Sequence, residues 1–151
     1  MEEKHRFAAP CGLYCGACGI MIAHQENNLK LKEKLTQVYG VAVDEIRCEG
    51  CLSDAPFFFC KVCSIKSCAQ EKKIAGCFQC DDFPCKIIDE FAFPVARQVM
   101  LRSVPAWKKL GTEQWMAEEE KRYSCPHCGC RLFRGVKRCR NCKEEVALDG
   151  A

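Results

Sequence analysis

Histidine is scarce in this chain, with three among 151 residues. A catalytic zinc centre of the usual kind gathers several imidazoles around an open position, so a histidine-rich hydrolytic site is not the leading reading. No apolar run approaches the roughly 18–20 residues that a membrane helix requires. The first seven residues, MEEKHRF, have no apolar core of the secretory-signal kind. The expectation is a chain with no membrane partner, working in a reducing cytoplasm. Strand-like alternation is sparse and short, which argues against a barrel or a large sheet. Surplus charge is equally sparse. The net charge is +3, and the tail from Cys125 onward carries all of it, with six Lys or Arg against Glu144, Glu145 and Asp149. The rest of the chain sums to zero, so any pull toward a polyanion would sit in the tail.

Cysteine, by contrast, occurs sixteen times. Such a density marks a disulfide or metal scaffold, and in a reducing compartment the thiols are ligands first. Eight lie in residues 48–85 with the spacing C-x2-C-x8-C-x2-C-x4-C-x8-C-x2-C-x4-C, through Cys48, Cys51, Cys60, Cys63, Cys68, Cys77, Cys80 and Cys85. Two tetrahedral sites fit them. A sequential pairing gives Cys48/Cys51/Cys60/Cys63 and Cys68/Cys77/Cys80/Cys85; a cross-braced pairing gives Cys48/Cys51/Cys68/Cys77 and Cys60/Cys63/Cys80/Cys85. Upstream, Cys11, Cys15 and Cys18 form a C-x3-C-x2-C cluster with interleaved glycines. This triad is one ligand short of a closed zinc site. His5, His24 or a distant cysteine could complete it, or the fourth position stays open. The same spacing holds a four-iron cluster in radical-SAM enzymes, but this chain has neither the length nor the strand–helix alternation of their barrel. Thioredoxin-like work by a C-x2-C pair lacks its βαβ setting.

The tail carries the most specific motif. Cys125-x2-Cys128 and Cys139-x2-Cys142 are separated by ten residues, as in a zinc ribbon whose two knuckles grip one tetrahedral ion. Gly129 suits the turn after the first knuckle; Lys143 stands where a glycine would be easier. Cys130 reads as a spare thiol and His127 as exposed. Arg131, Arg134, Lys137, Arg138 and Arg140 form a basic set that could meet phosphate, although most such sets are solvated faces. Asp81 and Asp82 read as solvated or capping groups, and no catalytic residue is assigned.

Between the cysteines the periodicity is helical. One helix is expected over residues 20–39, with Leu31, Leu35 and Val38 as its apolar stripe, a break near Asn27-Asn28 and Gly40 as its C-terminal stop. A short helix is expected over residues 67–73, capped by Ser67, and a longer one over residues 86–104, interrupted at Pro94. Thr112 is the expected cap of a last helix, seated on the body by Trp107, Leu110 and Trp115. Phe57, Phe58 and Phe59 are expected in the core, together with Ile20, Leu31, Leu35, Ile87, Ile88, Phe91 and Trp115.

Read in order, CGLYCGACG at residues 11–19, Cys48-x2-Cys51, Cys60-x2-Cys63-x4-Cys68 and Cys77-x2-Cys80-DDFP-Cys85 resemble the domain of unknown function 3795. The resemblance covers residues 10–104. The Gly111-x3-Trp115 helix leading into a C-P-x-C-G ribbon is similar to tails seen in that family. It implies a cytoplasmic protein of the anaerobic bacteria and archaea in which the family is mostly found, a setting in which iron–sulfur clusters survive. It implies no activity.

The fold expected is a small, mainly α, metal-stabilised cysteine-rich domain with few short strands and a C-terminal zinc ribbon. Residues 1–104 form the cysteine-rich helical domain, 105–124 a connecting helix and 125–151 the ribbon. The leading functional expectation is a non-catalytic zinc protein with several zinc sites, acting as an interaction or regulatory module. The alternatives are an iron–sulfur electron-transfer or sensing protein with its cluster on Cys11, Cys15 and Cys18, and, last, an open-site zinc enzyme. The partner classes left open are another protein and, through the basic tail, nucleic acid.

Overall fold

A computed structural model describes residues 5–146, 148 and 149; residues 1–4, 147, 150 and 151 lie outside the described residues. The chain builds a mainly helical body. Among the described residues its β structure is confined to three isolated bridges, Ala8 with Tyr14, Ser124 with Arg131 and Arg138 with Glu145. No helix among them is long and apolar enough to cross a membrane.

Helix α1 (Gly19–Gln25) is apolar nearly all round, and Ile20, Met21, Ile22 and Ala23 are buried at the centre of the main core. Helix α2 (Leu29–Tyr39) follows after the expected break. Asn27 takes a positive φ, and the Asn28 side chain accepts the Leu31 N–H at 3.1 Å, satisfying one of the free donors of the new helix. Gly40, at φ 67°, ends it in the left-handed conformation that a Cβ would penalise. Leu31 and Leu35 are buried, but Val38 is 65% exposed. The end of α2 turns Tyr39 inward instead, onto Phe57, Phe59 and Phe93 at ring distances of 5.2, 5.5 and 5.8 Å.

Three further corrections concern short helices. Helix α3 (Phe58–Lys61) is one turn, so its aromatics fan out: Phe57 before it is buried, Phe58 is 53% exposed and Phe59 is partly buried. Helix α4 begins earlier than expected, at Ser64–Glu71, directly after the Cys60–Cys63 turn, so Ser67 lies inside it rather than capping it. Helix α5 (Lys86–Asp89) is a single turn and can bury only one of two adjacent isoleucines: Ile88 is buried and Ile87 is exposed, while Phe91 is partly buried.

Helix α6 (Pro94–Leu110) starts at Pro94, where a missing N–H costs nothing, and runs past the expected end. Helix α7 (Thr112–Arg122) returns along it after Gly111. Thr112 is the first helical residue rather than the cap; its hydroxyl accepts the Trp107 indole N–H at 2.9 Å. Trp107 lies between Phe78 and Trp115, stacked at 4.2 and 4.1 Å. The Trp115 indole N–H donates to Ser103 Oγ at 2.8 Å, so both buried indoles are satisfied. This stack fastens the 3-10 turn Cys77–Gln79 to α6 and α7. The preceding residue, Gly76, has no room for a side chain: a Cβ there would lie 2.9 Å from the Pro10 carbonyl oxygen. Cys77 N–H donates to that same oxygen at 2.8 Å. Residues 76–80 are thereby held against the first cysteine loop, far away in sequence.

Candidate metal centres

The tail is built as two matching loops. Cys125 N–H donates to Cys130 O and Gly129 N–H to Cys125 O, both at 2.9 Å; in the second loop Cys139 N–H donates to Glu144 O at 2.9 Å and Lys143 N–H to Cys139 O at 3.0 Å. Gly129 and Lys143 both take positive φ, at 79° and 67°. In each loop the turn aims an N–H at a sulfur, His127 toward Cys125 and Asn141 toward Cys139, both at 3.4 Å. Cys125 and Cys142 sulfurs lie 3.7 Å apart, and those of Cys128 and Cys139 3.6 Å apart. All four fall within 4.8 Å of one another, and among the described residues this is the one such group of three or more ligand atoms. The edge of a tetrahedron with metal–sulfur bonds of about 2.3 Å is about 3.8 Å, so the set can hold one tetrahedral ion and has the form of a zinc ribbon. Donated N–H groups from Cys142 and Asn141 push the Cys139 thiol down to about 6, readying it as a thiolate. Cys130 stands outside the four with its sulfur near its neighbour's carbonyl, and His127 is exposed.

The other eleven cysteines are shared between two cavities. Cys11, Cys15, Cys18, Cys48, Cys51, Cys60 and Cys63 all line one of about 650 Å³, walled elsewhere by Tyr39, Phe57, Phe59, Phe91, Phe93 and Arg134. Cys68, Cys77, Cys80 and Cys85 line a second of about 30 Å³, between α4 and α5. This grouping keeps the sequential sets together and separates Cys48 and Cys51 from the Cys68 and Cys77 that cross-bracing would join to them. It also brings the triad to Cys48–Cys63 rather than to a histidine. His24 bonds Glu49 at 2.8 Å, His5 lines a different cleft, and neither lines the seven-cysteine cavity.

Within the larger cavity the thiols interleave. Cys15 feels the charge of Cys18 and, more weakly, Cys48; Cys11 feels that of Cys63 and Cys60; and the Cys51 backbone favours the Cys15 thiolate. Burial pushes the Cys11 thiol up to about 12, and Cys15 is raised well above its ordinary value by burial and then by Cys18. A hydrogen bond from Cys51 to Cys60 holds the Cys60 thiol down and that of Cys51 up. In the smaller cavity burial, then Cys85, Cys80 and Cys68, push Cys77 up to about 11. Lys72 Nζ lies 3.3 Å from Cys80 Sγ and 3.4 Å from Asp82, so Asp82 has a lysine partner rather than an acid–base one.

The basic residues of the tail divide. Arg131 donates to Gln25 and to Gly16 O, Arg134 to Tyr14 O, and Arg140 pairs with Glu26 at 2.8 Å. Lys137 and Arg138 are exposed. Three of the five thus serve contacts with the N-terminal half. Tyr39 and Arg134 stand among the thiols; the sequence marks Arg134 only as one of a basic set and gives no local signal of this placement for either. Only their place in the folded chain reveals them.

A family model described as a protein of unknown function (DUF3795) matches residues 7–90, more than half of the chain. No curated protein and no solved structure matches it.

Proposed function

The chain belongs to the family of proteins of unknown function (DUF3795), and from that premise we propose a metal–thiolate protein with two kinds of centre. The tail is a closed structural zinc site on Cys125, Cys128, Cys139 and Cys142. The N-terminal body holds iron–sulfur clusters on its cysteine-lined cavities and works non-catalytically, in electron transfer or redox sensing.

The observation that supports this is the difference in sulfur spacing. Four tail thiols crowd to the edge length of a single tetrahedral ion. Among the described residues no three of the eleven N-terminal thiols lie that close together, although they face shared cavities. Thiols set wider than the edge of a single tetrahedron suit a cluster, which binds each thiolate through a different iron. Seven thiols around one volume also exceed what one tetrahedral ion takes. Four and three would hold a closed cluster and one with an open iron. The aromatic wall would shield such a centre from water and so tune its potential. In this reading the ribbon is a docking element for the N-terminal body rather than a reader of nucleic acid.

The test is metal and acid-labile sulfide analysis of anaerobically purified full chain, with visible and electron paramagnetic resonance spectra before and after dithionite. We expect about one zinc per chain, iron matched by sulfide, and a visible absorption bleached on reduction. A colourless protein with several zinc ions and no iron would overturn the iron–sulfur assignment and leave the zinc interaction module in its place.

A further inference from the structure

The tail grips the first cysteine turn through its backbone. Cys15 opens the 3-10 turn Cys15–Ala17 and Cys18 closes it. Arg131 Nη2 donates to Gly16 O at 2.9 Å, the Arg134 backbone N–H to Ala17 O at 3.0 Å, and Arg134 Nη1 to Tyr14 O at 2.9 Å. Three carbonyls around two metal-ligand candidates are thus held by residues more than a hundred positions away. Phe133, between the two arginines, packs on the main core.

Arg134 differs from its neighbours in its charge balance. Arg140 has Glu26 as an ion-pair partner. Arg134 makes no ion pair among the described residues, is partly buried, and lines the cavity of Cys11, Cys15 and Cys18. A cation withdrawn from water needs an anion near it. Burial works against the Arg134 charge; of the groups that favour it, Cys18 and then Cys15 come first, ahead of Tyr123 and Tyr39.

We propose that Arg134 is the counter-ion and positioning residue of the N-terminal thiolate centre, so that the folded ribbon sets the charge and reduction potential of that centre. This rests on the iron–sulfur reading above. A guanidinium beside the thiolates stabilises the form with the extra negative charge, which is the reduced one. In the assay one electron passes from dithionite to the cluster core; dithionite is oxidised, and no bond of the centre forms or breaks.

Three variants of the full chain, titrated anaerobically, test it. Arg134→Gln should lower the midpoint potential by the equivalent of at least a tenfold change in the reduction equilibrium, about 59 mV for one electron. Arg134→Lys keeps the charge and should recover most of that shift. Arg131→Gln removes the Gly16 contact but no charge from the cavity, and should leave the potential where it was. An unchanged potential in Arg134→Gln overturns the proposal, as does an equal shift in the Gln and Lys variants or in Arg131→Gln. Should Arg134→Gln lose its iron, retention of iron at near-parental potential in Arg134→Lys supports the charge role, and loss in both overturns it. A parent chain without iron fails differently: the iron–sulfur reading itself falls, before any variant is compared.

Discussion

At the scale of single residues, the strongest demand falls on a buried carboxylate. Glu119 of α7 is 4% exposed and receives both Arg102 nitrogens, at 2.8 and 3.1 Å. Tyr123 and Asp149 complete the cluster, the tyrosine hydroxyl donating to Asp149. The bidentate pair ties α6 to α7 and to the far end of the tail. Removing the arginine alone strands the carboxylate in a place where water cannot solvate it. Arg102→Ala should therefore lower the stability of the metal-loaded chain by about 3 kcal/mol in urea unfolding. Adding Glu119→Gln to that variant removes the stranded charge and should recover part of the loss. A double variant no more stable than Arg102→Ala would show that the cost lies in lost packing of the arginine stem instead.

At the scale of elements, capping decides where helices begin. Asn28 starts α2 with a side-chain bond to Leu31 N–H, and Asn28→Ala should cost about 1 kcal/mol, with Asn28→Asp close to the parent. Loss of helical circular dichroism on heating measures it; an alanine variant as stable as the parent would mean that packing of Leu31 and Leu35 alone holds the helix. This break was legible in the sequence because two adjacent asparagines announce it chemically. Pro94 and Gly40 were legible for the same reason, each fixing its own backbone. The single-turn helices α3 and α5 were not. With 3.6 residues per turn, one turn shows no period, so nothing in the sequence separates Ile87 from Ile88 or Phe58 from Phe57. The metal centres divide along the same line. The tail's four cysteines are close in sequence, and their knuckle spacing carries its own geometry. The seven-cysteine cavity brings residues 11–18 to residues 48–63 through long-range contacts that no local spacing encodes, such as the Leu52 N–H on Arg6 O and the His24–Glu49 bond.

At the scale of the whole molecule, those long-range contacts bear on how the chain comes apart. The sequence divides it into a domain over residues 1–104, a connecting helix and a ribbon, and such a division predicts that the ribbon can unfold alone. The contacts across the division argue for the opposite. Three hydrogen bonds from Arg131 and Arg134 to residues 14–17, each contributing about 1 kcal/mol, join the Arg140–Glu26 pair in holding the N-terminal turn. Against the roughly 5–15 kcal/mol that stabilises a whole domain, a loss of about 3 kcal/mol is a large fraction. A ribbon of this size is not expected to fold without its ion. We therefore expect the double variant Cys125→Ser with Cys128→Ser to lose more than the tail zinc. Amide exchange should accelerate in residues 11–25 as well as in the tail, and metal bound by the N-terminal cavities should fall below that of the parent. The alternative outcome is sharp. If residues 11–25 keep the parent's protection and the N-terminal metal content is unchanged, the ribbon is an independent appendage and its arginines are surface contacts only.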